Sequence, residues 1–120
     1  MRWPRSLILS SLLLLCPLAV SAATIQLAWD YTQGVTPAVG FQMYRQEACA
    51  GPFVKLNATS IPLATLTYLD GTVIAGRLYC WQVTAHDSAG LESAPSNVLQ
   101  FQIPAPLPAA PRNLRGVVTP

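Results

Sequence analysis

Charge is scarce in this chain. Seven basic and five acidic residues are spread over 120 positions, and no stretch gathers the Lys and Arg needed to neutralise a run of phosphates. Nucleic acid is therefore not an implied partner. Histidine is scarcer still, with His86 the only one. Zinc sites take three or four ligands, so one imidazole does not make a metal site, and no cofactor is expected. No Gly-x-Ser-x-Gly elbow occurs. His86 stands beside Asp87, but neighbours on a strand point to opposite faces, which breaks a triad built from the two. The five carboxylates are dispersed and offer no acid–base pair. Ser88 and Ser93 read as local turn residues, and Asp87 and Glu92 as caps of the same turn. These absences argue against an enzyme.

What is abundant is apolar side chain, 52% of the chain, and much of it stands at the front. Arg2 and Arg5 precede a run over residues 7–20, and Val20-Ser21-Ala22 supplies small residues for cleavage. A basic start, a short apolar run and a small-residue site make a secretory signal peptide over residues 1–22. The run is shorter than the ~20 residues of a spanning helix and contains Pro17, so no stable membrane anchor is expected. Leu15 before Cys16 and Pro17 after it disfavour a lipid anchor. Removing Arg2 and Arg5 with the leader leaves five basic residues against five acidic ones, and the exported protein is near neutral.

Loss of Cys16 leaves Cys49 and Cys80 out of three cysteines. An even count in a small exported domain favours a disulfide, which the chain-entropy model values at ~3 kcal/mol. Two separate thiols are the alternative. Cys80 falls on the outward phase of its strand.

The remaining sequence alternates with period two. Tyr79, Trp81, Val83 and Ala85 point one way and Cys80, Gln82, Thr84 and His86 the other, the pattern of a half-buried strand. Asp87-Ser88-Ala89-Gly90 is a turn, and residues 97–103 form a second extended run, so the two make a hairpin. Upstream, Ile25, Leu27 and Trp29 alternate with Gln26, Ala28 and Asp30, which predicts a strand over residues 24–31 with Trp29 as a central core aromatic. Residues 40–46 form the next strand, with Phe41 and Met43 toward the core and Gln42 and Tyr44 away from it. Residues 53–56 make a short strand, and Pro62 limits pairing near it to an edge. Leu66 and Tyr68 alternate inward, and Asp70-Gly71 reads as a bend. Asn57-Ala58-Thr59 matches a glycosylation pattern without implying use.

The run aromatic-x-Val-Thr-Ala-x-Asp-x-x-Gly-x-Glu-Ser-x-x-Ser-Asn, ending at Asn97, resembles strands F and G of a fibronectin type III domain, of the kind found in exported bacterial proteins. Leu27-Ala28-Trp29-Asp30, Gly40-Phe41-Gln42-Met43-Tyr44-Arg45 and Tyr68-Leu69-Asp70-Gly71-Thr72-Val73 stand in the order that family places them, and the resemblance covers residues 24–103. It implies an all-β, immunoglobulin-like Greek-key sandwich over residues 23–103. The implied core is Trp29, Phe41, Tyr68, Tyr79, Trp81 and Val83. Tyr79 would be the corner tyrosine, its hydroxyl bonded to backbone near the preceding turn. The family's strand C would also bring Cys49 beside Cys80.

Two departures from the family belong together. The chain reaches strand B almost directly after the leader, so strand A is missing from the front. Residues 104–120 carry a Pro-rich spacer, with Pro104, Pro106, Pro108 and Pro111, and then Arg112-Asn113-Leu114-Arg115-Gly116-Val117-Val118, which resembles the first strand of another such domain. An unpaired strand B invites strand addition. In this sandwich the last strand ends at the pole opposite the amino terminus, so the chain's own tail would run parallel to strand B. A neighbour's tail could run antiparallel, with Leu114, Val117 and Val118 as contacts. A flexible tail or a truncated multidomain product is the plainer alternative. The expected function is a non-enzymatic, secreted or periplasmic module for adhesion, scaffolding or protein interaction. Its ligand would be a protein or an extracellular polymer, with self-association through the tail as the alternative. The loops at residues 32–39 and 87–96 carry no aromatic cluster, which counts against carbohydrate recognition.

Overall fold

Strand β6 (Leu78–His86) is the element on which the others are assembled, because both of its edges are paired and one face is apolar throughout. The computed structural model describes residues 21–120. The expected leader lies almost wholly outside them. Its last residue, Ala22, opens strand β1 (Ala22–Ala28) and pairs with Ile74. The other elements are β2 (Gly40–Glu47), β3 (Val54–Lys55), β4 (Ile61–Pro62), β5 (Thr67–Ile74) and β7 (Leu99–Gln102).

The strands form two antiparallel sheets. One follows the order β3-β2-β6-β7, with β4 also on β2, and the other contains only β1 and β5. The chain crosses between sheets from β1 to β2, from β4 to β5 and from β5 to β6, which gives the Greek-key connectivity of a β-sandwich. Among the described residues β1 has a single strand partner, β5.

The inward phases of the strands meet between the sheets. Phe41, Met43, Val73, Tyr79 and Trp81 are buried there with Leu27, Ile61, Ala85 and Ile103. The Tyr79 hydroxyl accepts the Ile74 N–H at 2.9 Å, so the Tyr79 side chain ties the start of β6 to the end of β5 across the turn. Trp29, expected at the core centre, and Tyr68 and Val83, expected in the core, are only partly buried and pack against its margin. For Trp29 the reason is that β1 ends at Ala28 and pairs only with β5 among the described residues; its ring still meets Phe41 edge-on at 5.3 Å.

A disulfide joins Cys49 to Cys80, with Cα atoms 5.0 Å apart. Cys80 occupies the outer phase of β6 and is nevertheless 4% exposed. Residues Ala48 and Cys49 both take positive φ, the left-handed turn that swings Cys49 back over the sheet. The expected bend at Asp70-Gly71 falls inside β5, where a bulge shifts the register against β1 between Ala23 and Ile25.

Candidate functional site

The two sheets differ in width, and the difference exposes surface that the alternation of the chain assigns to the interior. Leu99 pairs with Trp81 and Phe101 with Tyr79, so each pair shares one face of its sheet. Trp81 and Tyr79 are 2% and 1% exposed, whereas Leu99 and Phe101 are 42% and 44% exposed. The cause lies opposite. β1 and β5 are the whole of the facing sheet among the described residues, and they do not reach over β7.

A groove of about 360 Å³ opens beside this step. It is lined on one side by Leu27, Ala28 and Trp29, on the other by Val83, Ser96 and Leu99, and its floor includes Met43 and Trp81. Its β1 side is a strand edge that has no strand partner among the described residues. The Trp29 N–H donates to the Leu66 carbonyl at 3.1 Å. The alternation of an antiparallel ladder then turns the backbone groups of Trp29, Leu27 and Ile25 toward β5, and those of Gln26 and Ala28 toward the open edge. The indole Nε1 of Trp29 is buried without a hydrogen-bond partner, the only such side-chain atom among the described residues. Asp30 stands at the rim and forms no ion pair among the described residues.

The far side of the groove is closed by local hydrogen bonding. Ser93 and Ser96 each take over one ladder position on β6. The Ser93 hydroxyl accepts from the Ala85 N–H at 2.9 Å and the Ser96 hydroxyl from the Val83 N–H at 3.0 Å, while their own amides donate to the Ala85 and Val83 carbonyls. Ser93, expected as an ordinary turn residue, thus continues the sheet before β7 begins.

The other polar side chains satisfy one another. Asp70 is 3% exposed and accepts hydrogen bonds from the Arg45 guanidinium at 2.9 Å, the Trp81 indole at 3.0 Å and both the amide and hydroxyl of Thr72. Burial opposes its charge, but the bonds from Thr72, Trp81 and Arg45 outweigh that cost and hold its carboxyl below the usual range. Arg45 also lies over the Tyr79 ring, 5.0 Å from its centre. Asp70 and Arg45 therefore clamp β5 to β2 across the core. Both continue an apolar alternation, Leu66-Tyr68-Asp70 and Phe41-Met43-Arg45, and that shared inward phase was the available sequence signal.

Asn57, read above only as a sugar-acceptor motif, is 8% exposed; its side chain accepts the Met43 N–H and donates to the Thr59 carbonyl. Asp87 caps its turn as expected, accepting from the amides of Ala89 and Leu91. Glu92 instead receives the hydroxyls of Tyr44 and Thr84 on the outer face of the sheet. His86 meets Ser60 through Nε2 at 2.5 Å and the Asp87 carbonyl, not its carboxylate, through Nδ1. Gly40 makes room for this pair, since a Cβ there would lie 2.7 Å from the Ile61 carbonyl oxygen and 2.9 Å from His86 Nε2.

Residues 104–120 have no assigned strand and are exposed throughout. Leu114, Val117 and Val118 are 101%, 92% and 93% exposed.

No family model matches the sequence, and no curated protein matches it. Solved structures do. One described as a myokine aligns with a TM-score of 0.56 over 72% of this chain and 87% of its own, at 17% identity. The twitchin kinase region from C. elegans, whose segments run from Fn31 to Ig26, gives 0.55 over 68% of this chain at 18% identity. This chain spans only 14% of the twitchin region's length. At such identities the likeness speaks for the fold alone. It agrees with the strand order described above: the chain folds as a fibronectin type III-like β-sandwich.

Proposed function

We infer that this chain is a non-enzymatic, exported interaction module whose site is the open edge of β1 together with the groove beside it. The observation that carries this reading is the contrast along β7. Leu99 and Phe101 occupy core-facing positions yet stand about half exposed, next to a strand edge that has no strand partner among the described residues. Such a site fits an extended peptide. Backbone bonds to Gln26 and Ala28 would give affinity, and inward side chains two residues apart would fill the groove. The disulfide suits an oxidising compartment and supports the secreted or periplasmic expectation. A protein is favoured over an extracellular polymer as ligand, because only a polypeptide offers matching N–H and C=O groups to a strand edge.

Selection of nine-residue peptides from a random display library against the full-length protein tests the reading. Enriched peptides should carry apolar residues at alternate positions and lose binding to an Ala28→Pro variant, which removes one edge donor, and to Leu99→Asp. Enrichment of peptides that bind both variants undiminished, or no enrichment, would overturn it.

A further inference from the structure

The occupant of this edge is specified by the chain itself. We propose that residues 112–118 of a second copy add to β1 as an antiparallel strand, linking copies head to tail. This rests on the open edge being the interaction site and names its partner.

Four observations select that segment. Its composition fits: residues 112–118 contain no proline, and Leu114, Gly116 and Val118 share one phase. With those three turned inward and Asn113 and Arg115 presenting their backbone groups to Ala28 and Gln26, Leu114 lies opposite Leu27 at the groove and Val118 opposite Ala23 near the start of β1. Gly116 sits between them, opposite Ile25 on the inward phase of β1.

Its availability fits as well. Every residue from 104 to 120 is exposed, so donation breaks no packing in the donor. The spacer over residues 104–111 carries Pro104, Pro106, Pro108 and Pro111 and spans about 25 Å when extended. It holds the donated strand away from its own domain. One local change is required: Asn113 has positive φ in the free tail and must become extended to pair, a change that costs Asn less than most residues.

Direction distinguishes a neighbour's tail from the chain's own. The Gly76 N–H donates to the Ile103 carbonyl and the Ala75 N–H to the Ser21 carbonyl. The tail therefore leaves at the pole where β1 begins. Folding back along β1, it would run parallel, the slightly weaker ladder. A second copy is free to approach antiparallel.

Charge selects the same orientation. An antiparallel strand starts beside the end of β1, with Arg112 opposite Trp29 and next to Asp30, which stands at the groove rim and forms no ion pair among the described residues. A parallel strand would place Arg112 at the other end, beside the uncharged Ala22 and Ala23.

Solution mass of the full-length protein, purified from the compartment in which it accumulates, tests the proposal over roughly 10 µM to 1 mM, the range suited to a small interface. Mass should rise with concentration. The double substitution Leu114→Asp with Val118→Asp touches only exposed tail residues, so the fold stays intact, and it should weaken association by about a hundredfold or more. That variant keeps its edge. An Ala28→Pro variant keeps its tail. Mixed, the two should form a one-to-one complex that neither forms alone.

A monomer at every concentration overturns the proposal, whether or not its tail folds back, and so does association that survives the tail substitution. If Ala28→Pro does not fold, Asp30→Lys replaces it in the mixture, and a failure to pair then counts against the proposal equally. A monomer that still selects edge-dependent peptides leaves the interaction module standing with a different protein as partner. A monomer that selects none removes both.

Discussion

Trp81 and Leu99 are register partners on the same face of the same sheet, and they differ about twentyfold in exposure, 2% against 42%. Trp81 sits under β5 and donates its indole N–H to Asp70. Leu99 lies one strand further out, where the facing sheet has ended. The comparison teaches that in a sandwich the strand's own alternation decides which side chains face inward, but the width of the opposite sheet decides which of them are buried. An inward residue left uncovered is a place where another strand fits.

The largest expected effect lies on the covered side. Trp81→Ala should cost about 3–5 kcal/mol in denaturant unfolding, since it empties a large core volume and removes a bond to buried Asp70. Trp29→Ala should cost clearly less, because Trp29 is partly exposed at the groove. Equal losses would mean that Trp29 is covered in solution.

Next comes Asp70. Asp70→Asn leaves the Arg45 guanidinium facing a neutral amide in the core and should cost about 3 kcal/mol. The wild-type carboxyl titrates below its usual range, so its contribution is complete above the unfolded value of ~3.9 and is lost as pH falls through the folded value. Acid unfolding should therefore steepen below about pH 4 in the wild type and flatten in Asp70→Asn. An unchanged acid limb would show that Asp70 is not the controlling carboxylate.

Reduction of Cys49–Cys80 follows. The bridge spans 31 residues, worth about 4 kcal/mol by the chain-entropy model. Because it anchors the β2–β3 turn on the paired side of the sheet, far along the sequence from β1, reduction should lower stability and leave peptide binding at the edge unaltered. Matched titrations of the Cys49→Ser, Cys80→Ser protein and the wild type check both halves of that statement.

Much of this was legible in the sequence because period-two alternation is a local signal. Tyr79, Trp81 and Phe41 were readable as core from their own strands. The β1 edge, without a strand partner among the described residues, stands where the resemblance placed an unpaired strand B. Other features depend on what two distant strands bring together. Arg45 and Asp70 each interrupt an apolar series, and only their meeting across the sheets, 25 positions apart, explains either. Trp29 alternates like Trp81, and nothing within its own strand records that the groove beside it is uncovered. Cys80 has the outward phase, but the fold of the turn at Ala48 and Cys49 buries it. Sequence phase names a face, and tertiary neighbours decide its cover.

The smallest expected effect probes that distinction most directly. Leu99→Thr introduces a β-branched residue favoured in strands and removes apolar surface that is already about half in water, so in dilute protein it should cost about 1 kcal/mol or less. If the groove receives a strand from a neighbour, the cost cannot stay constant. At high protein concentration the wild type gains stability by mass action from a partner that covers Leu99, and the variant gains less. The stability difference between the two proteins should then widen as concentration rises, read from thermal unfolding at a series of dilutions. A difference that is large even at the lowest concentration would mean that Leu99 is covered within one chain, and the contrast with Trp81 would vanish. A small difference at every concentration would mean that the inward face beside β7 stays bare, and that the groove binds something other than a second copy.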